Sequence, residues 1–328
     1  MKKNRIIPIV IGLIVLSAIA YYFTTKETEP VKENTEITIG YPTLRIALPV
    51  LVAYDKGYFK EEGLDVTLKS YQTAQPMMDA LVSGKINLGG FCALPITFGA
   101  MARSKTDLLF LGGMYEDDKH PISVLLVKDT TSISSIQDLK GKKIGILPTR
   151  AYEVWLQGIL ESNNINPKDV IIRQVKPNLQ ADALNNGSVD ALFTNDPAAT
   201  ITMSKGYGME LTREALVPKS TEMSPFYFGS FNVRKDYADK NPDIVLKVSK
   251  ALDRASKYIN ENPDSKLIMA KDNYLPEAFR PIVKNFPNSF FKTTNNVSEE
   301  DLTEIKEFYF NKQVLPVNID IKGLQYKN

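Results

Sequence analysis

The chain has 328 residues, 43% of them hydrophobic and 24% charged, with a formal net charge of +2. That length suits two domains, and the composition is that of an ordinary globular protein with no electrostatic case for nucleic acid. One cysteine, Cys92, and one histidine, His120, exclude an intrachain disulfide and a Cys/His metal cluster. No D-x-D-x-D-G loop and no G-x-S-x-G turn is present. No metal, cofactor or serine-hydrolase triad is therefore expected.

The N-terminus reads as a leader. Lys2, Lys3 and Arg5 precede Ile6 to Phe23, which is uncharged and mostly apolar. That run meets the lower limit of about 17 residues for spanning a bilayer. Ala18-Ile19-Ala20 also fits a cleavage site, so residues 1–23 are a signal peptide or a membrane anchor. The basic flank places the bulk of the chain outside the cytoplasm. No cysteine follows the apolar run, which excludes a lipid anchor there. Residues 24–35 are polar and read as a tether.

Beyond the tether, strands and helices alternate. Strands are predicted at Ile37–Tyr41, Asp65–Ser70, Ile86–Phe91, Leu108–Met114, Ile122–Val127, Ile144–Leu147, Val170–Val175, Val189–Phe193, Met209–Thr212 and Phe226–Val233. Helices are predicted between them, at Ile46–Tyr54, Gln75–Val82, Ile96–Ala102, Tyr152–Asn163, Leu179–Asn185 and Ala198–Lys205. The remainder reads as helical: Ile244–Asn260, Ser265–Lys271, Pro276–Phe286 and Ser298–Asn311. The alternation predicts parallel sheets.

One phrase occurs twice. Asp79-Ala80-Leu81-Val82-Ser83-Gly84-Lys85-Ile86-Asn87 and Asp182-Ala183-Leu184-Asn185-Asn186-Gly187-Ser188-Val189-Asp190 share the pattern D-A-L-x-x-G-x-[IV]-[ND]. Its physical sense is a helix end, a glycine cap and a strand. Ile39-Gly40 is echoed by Ile144-Gly145 at nearly the same offset, and Leu64-Asp65-Val66 more loosely by Lys168-Asp169-Val170. Landmarks repeated in the same order predict two similar α/β lobes with a ligand cleft between them.

Further motifs fit this scheme. Tyr54-Asp55-Lys56-Gly57-Tyr58-Phe59-Lys60-Glu61-Glu62-Gly63-Leu64-Asp65-Val66 resembles the A-x-x-x-G-[YF]-F-x-x-x-G-L-x-V signature of periplasmic solute-binding proteins. The similar group is the nitrate, sulfonate, taurine and thiamine-pyrimidine type. Asp138-Leu139-Lys140-Gly141-Lys142-Lys143-Ile144-Gly145 resembles that family's opening of the second lobe, and Asn241-Pro242-Asp243 its C-terminal pattern. The resemblance spans roughly residues 36 to 320. It implies the type II periplasmic binding protein fold, with two α/β lobes, a hinge of two crossing segments and a helical C-terminus. Lobe 1 would be 36–122 plus 231–328 and lobe 2 would be 123–230, with crossings near Ile122–Lys128 and Phe228–Val233.

In open α/β sheets, ligands bind beyond the carboxyl ends of the strands. Four segments qualify. Tyr41, Thr43 and Leu44 follow the first strand, as ligand contacts or as a simple turn. Phe91 and Cys92 follow Gly89-Gly90; Cys92 reads as apolar packing because no base accompanies it. Thr149, Arg150 and Ala151 open a helix, as an anion cradle or as a capping Thr beside a surface Arg. Asn195 and Asp196 precede Pro197; Asp196 suits an ammonium or a helix cap. Met114 and Tyr227 lie near the crossings, as ligand contacts or as hinge packing. Trp155 reads as core and His120 as a hinge or surface residue.

These expectations converge on an extracytoplasmic substrate-binding subunit of an ABC importer rather than an enzyme. It would deliver a small polar organic ligand to a permease and ATPase complex, act as a monomer, and touch the membrane only through an uncleaved leader. Arg150 with Asp196 would suit a zwitterion such as an aminosulfonate; nitrate is the other ligand class. The alternatives are a pyrimidine- or heterocycle-binding relative and an enzyme on the same fold. An extracytoplasmic sensor would need a signalling domain, which this sequence does not contain.

Overall fold

The computed structural model describes residues 35–271 and 273–328. The expected leader at 1–23, and the tether at 24–35 apart from its last residue, lie outside the described residues. Among the described residues no helix is long and apolar enough to cross a membrane.

Among the described residues eleven strands form two sheets: β1 Thr35–Pro42, β2 Leu64–Tyr71, β3 Leu88–Ala93, β4 Leu108–Glu116, β5 Ser123–Val127, β6 Lys143–Ile146, β7 Ile171–Gln174, β8 Ala191–Asn195, β9 Met209–Thr212, β10 Phe226–Arg234 and β11 Phe290–Lys292. The first sheet has the order β11-β4-β10-β3-β1-β2 and the second β7-β6-β8-β5-β9. Parallel trios, β2-β1-β3 and β7-β6-β8, form one side of each sheet. Each trio is then flanked by an antiparallel strand that arrives from the other half. That strand is β10 beside β3 and β5 beside β8. The sheets are therefore mixed rather than parallel, because exchanged strands enter in the opposite direction.

The chain passes between sheets at 117–122 and returns at 213–225. These crossings precede the segments expected from the sequence. Ile122–Lys128 and Phe228–Val233 mostly build β5 and β10, whose apolar residues are buried within the sheets.

The repeated phrase performs the same work in both halves. The helix Ala74–Val82 ends at Gly84, with φ of 74°, and Gln180–Asn185 ends at Gly187, with φ of 76°. This left-handed conformation favours glycine. Asn87 and Asp190, which close the phrase, each bond the strand next door. Thr38 N donates to Asn87 Oδ1 at 2.8 Å, and Lys143 N donates to Asp190 Oδ2 at 2.8 Å. The glycine echo belongs to the same device. A Cβ on Gly40 would stand 2.5 Å from Ile86 Cδ1, and one on Gly145 would stand 2.7 Å from Leu192 Cδ2 and 3.3 Å from Val189. Ile86 and Val189 are the apolar residue of the phrase, so strand glycine and phrase residue fit each other. The third echo is looser: Asp65 lies in β2, whereas Asp169 lies in a 3-10 turn before β7.

C-terminal to β10, Pro242–Glu261 forms a long helix, started by Pro242 and burying Val245, Val248, Leu252, Ala255 and Ile259 at helical spacing. The segments Pro263–Ala270 and Glu277–Asn285 are 3-10 rather than α-helical. Pro281 lies inside the second and has no N–H for an α-helical bond. Strand β11, unexpected from the sequence, pairs with Gly113–Tyr115 of β4; three residues are too few to show periodicity. Helix Glu299–Asn311 follows. Trp155, on helix Arg150–Ser162, packs 5.9 Å from Phe226 and Phe228 and 6.3 Å from Tyr309. It thereby joins the second half to β10 and to the C-terminal helix.

Candidate functional site

The structure distributes the expected site residues among four places. Thr43 and Leu44, after β1, meet Pro197, after β8, together with Arg45, Leu275, Phe279 and Phe286. These residues close on one another and leave no space for a water molecule. Tyr41 is buried, and its hydroxyl donates to the carbonyls of Asn273 at 3.1 Å and Tyr274 at 3.3 Å.

A second group lies inside the first sheet. β3 runs on to Ala93 and a helix follows at once, so Cys92 lies within the strand rather than beyond the end expected at Phe91. Phe91 packs against Phe231 and Phe291 with centroids at 6.1 and 5.4 Å. Cys92 is fully buried, and burial pushes its thiol up to about 12. Met114 is buried in β4. The Tyr227 hydroxyl donates to Gly112 O at 3.0 Å, and its ring stacks on Tyr115 at 4.8 Å.

The third group caps helix Arg150–Ser162. Thr149 is the N-cap, accepting from Tyr152 N at 3.3 Å, and Ala151 is buried. Arg150 pairs with Glu153 at 2.8 Å, and its side chain is 42% exposed. His120 bonds Asp117 at 2.9 Å and stacks on Phe290 at 5.2 Å.

Where the two halves meet, the structure assembles a buried charge cluster. Asp196 follows the last residue of β8, Asn195, which pairs with Ser123 of β5. The Asp196 side chain accepts from Thr200 N at 3.1 Å and from the Thr200 hydroxyl, and pairs with Arg213 at 3.4 Å. It thus satisfies a first-turn N–H of helix Ala198–Ser204, whose N-cap is Pro197, and serves as an ion-pair partner as well. Arg213 also bonds Glu210 at 2.9 Å. Arg45 is 3% exposed and donates to the carbonyls of Pro287 at 3.0 Å, Asn288 at 3.3 Å and Pro121 at 3.1 Å. Burial lowers its pKa; Asp196 and Glu116 oppose that, and Arg213 adds to it. Glu116 ends β4 and accepts from Ser123 N at 3.1 Å and Ser123 Oγ at 2.7 Å, across the first crossing. Its other oxygen has no partner, and burial pushes the carboxyl upward against those bonds and Arg45. The buried Tyr152 hydroxyl is likewise unpartnered, held above its ordinary range by burial, then by Glu116 and Asp196.

Arg45, Glu116, Tyr152 and Arg213 were not among the expected site residues. Arg45 did carry a signal: it is the one charged residue in Leu44-Arg45-Ile46-Ala47-Leu48, and a charge in an apolar run is buried only when partnered. Glu116 is masked by the acidic run that follows it, and Arg213 lies in an unremarkable polar stretch.

Two mixed α/β halves, exchanging strands through two crossings, with charge gathered where their strand ends meet, define the type II binding-protein fold. The chain belongs to the NMT1/THI5-like family, whose pattern matches residues 47–266. The periplasmic aliphatic sulphonate binding protein SsuA from Escherichia coli has a similar structure, with a TM-score of 0.71 at 20% identity, over 90% of this chain and 98% of that one. A Bacillus subtilis protein provisionally named as aliphatic sulfonates-binding is 25% identical over 327 residues, 95% of this chain and 93% of its own. A 4-amino-5-hydroxymethyl-2-methylpyrimidine phosphate synthase of Saccharomyces cerevisiae is 25% identical over 251 residues, 73% of this chain and 68% of its own.

Proposed function

We propose that this chain is the extracytoplasmic substrate-binding subunit of an ABC importer, and that its ligand is a small sulfonate held where the loops after β1 and β8 meet. The carrying observation is the pair of arginines, Arg45 and Arg213, enclosed with Glu116 and Asp196 at the junction of the two halves. A guanidinium presents five N–H donors in a planar fork, suited to the oxygens of a sulfonate. The two carboxylates suit an ammonium, so an aminosulfonate such as taurine matches both signs. On this reading lobe 1 is built on the first sheet, with β10 and the chain after it, and lobe 2 on the second sheet, and their closure forms the face offered to the permease and its ATPase. The N-terminal segment exports the chain and is then cleaved or kept as an anchor, and the exported protein acts as a monomer.

An enzyme on this fold is the second reading, favoured by the kinship with the yeast pyrimidine phosphate synthase. Cys92 speaks against its use of a thiol nucleophile, because a thiol pushed up to about 12 is protonated at neutral pH. The charged groups of the cluster also hold the crossings, a positioning role. Titration calorimetry of the full chain with taurine, butanesulfonate and nitrate tests the proposal. Saturable binding of a sulfonate at one site is expected; no heat from any sulfonate would overturn it.

A further inference from the structure

Resting on the binding-protein reading, we infer that residues 273–288 are an internal strap that holds Arg45 by main-chain carbonyls, and that the ligand's oxyanion displaces those carbonyls to take the guanidinium. The strap is tied down at both ends by lobe 1. Tyr41 Oη donates to Asn273 O and Tyr274 O at 3.1 and 3.3 Å, and the Tyr54 ring stands edge-on to Tyr274 at 6.5 Å. At the other end Arg45 Nη1 donates to Pro287 O and Asn288 O at 3.0 and 3.3 Å, and Lys266 Nζ to Phe286 O at 2.6 Å. Between the ends, Leu275, Phe279 and Phe286 line one narrow cleft together with Thr43, Leu44, Arg45 and Pro197. The strap therefore lies across the strand ends of both halves, where the ligand is proposed to sit.

Two physical features make it displaceable. Its centre, Glu277–Asn285, is a 3-10 run interrupted by Pro281. Such runs have poorer hydrogen-bond geometry than α-helix and rarely exceed three or four residues. Its hold on Arg45 is by neutral carbonyls, and an anionic acceptor adds to the hydrogen bonds a full charge–charge attraction that a carbonyl dipole lacks. Asn288 is exposed and Pro287 is half-buried, so their carbonyls are rehydrated on release. The apolar body of an alkanesulfonate would then replace Leu275 and Phe279 against Leu44. Strap and ligand compete for one place, and apparent affinity is set partly by how readily the strap opens.

Hydrogen exchange of the full chain, read by mass spectrometry over 273–288, tests this first without any added compound. Tyr41→Phe removes the single hydroxyl proton that both carbonyls share and should speed exchange of the strap roughly fivefold, the equivalent of one ordinary hydrogen bond. Unchanged exchange would overturn the strap whatever the protein binds. Butanesulfonate is the probe for the second half. It should speed strap exchange in the wild type, bind Tyr41→Phe up to about fivefold more tightly, and bind Arg45→Gln roughly a hundredfold more weakly, with Arg45→Lys between. Butanesulfonate that slows strap exchange, or that binds Arg45→Gln as well as wild type, would overturn the competition. If Tyr41→Phe frees the strap but butanesulfonate binds neither protein, the sulfonate reading fails, and with it the assignment of Arg45 to the ligand.

Discussion

Replacing Gly40 by Ala should destabilise the fold in a way that a second, distant-in-sequence substitution repairs. The new Cβ would stand 2.5 Å from Ile86 Cδ1, with Tyr71 Cε2 at 3.1 Å and Met77 Cγ at 3.2 Å. Ile86 is 3% exposed, so Cδ1 has little room to turn away. Forcing a methyl into a packed core costs about 1–3 kcal/mol. Stiffening the unfolded backbone returns up to about 1 kcal/mol, leaving a net loss of roughly 1–2 kcal/mol. Ile86→Val removes the offending Cδ1. Alone it should cost about 0.5–1.5 kcal/mol, but in the Gly40→Ala background the relieved clash should cancel that cost. The double-mutant cycle should then show about 0.5–1.5 kcal/mol of favourable coupling, measured as urea midpoints at constant m. Gly145→Ala, whose Cβ meets Leu192 and Val189 in the other half, is the control that Ile86→Val should not rescue. Additivity within about 0.5 kcal/mol at Gly40 and Ile86 would refute the claim that strand glycine and repeated phrase are one device.

Two further outcomes concern buried titratable groups. Burial raises the Glu116 carboxyl above its ordinary value, so the folded state holds that proton more readily than the unfolded state. Its contribution to stability is present at low pH and lost as pH rises through the raised value. Glu116→Gln removes that loss. Thermal scans should show the variant's advantage growing from near zero at about pH 4 to about 1–3 kcal/mol at pH 8, the cost of one unpaired buried oxygen; a wild type that gains on the variant with rising pH would contradict it. Cys92, with its thiol pushed up to about 12 and no exposure, should resist a disulfide reagent at pH 8 in the native protein and react in urea. Rapid native labelling would show an opening at β3 that the sheet does not provide.

Much of the scaffold was legible because its signals are local. Gly84 and Gly187 mark left-handed caps, and Pro242 marks the start of the long helix; each is decided by residues within a turn or two. The candidate site was less legible because long-range pairing builds it. Arg45 is placed by carbonyls 76 to 243 residues away in sequence, whereas Glu116 is placed by Ser123, near in sequence but across the passage from one sheet to the other. No periodicity carries such information. Arg150 illustrates the converse: a helix N-terminus beside an arginine is a reasonable anion site from sequence, yet the side chain bonds Glu153 one turn on. The long 3-10 segment escaped for a third reason. The apolar spacing of 276–286 fits a helix, and only Pro281 in its middle shows that an α-helical ladder cannot pass through.

The most direct measurement is an equilibrium titration of the full chain with taurine and butanesulfonate, followed by heat and by the emission of the single tryptophan, Trp155. Trp155 is packed between the second half, β10 and the C-terminal helix, so closure of the lobes should change its surroundings. The account predicts saturable binding of one sulfonate per chain, a matching change in emission, and ligand recovered chemically unchanged. Absence of binding by every sulfonate, or conversion of the added compound to a product, would contradict it.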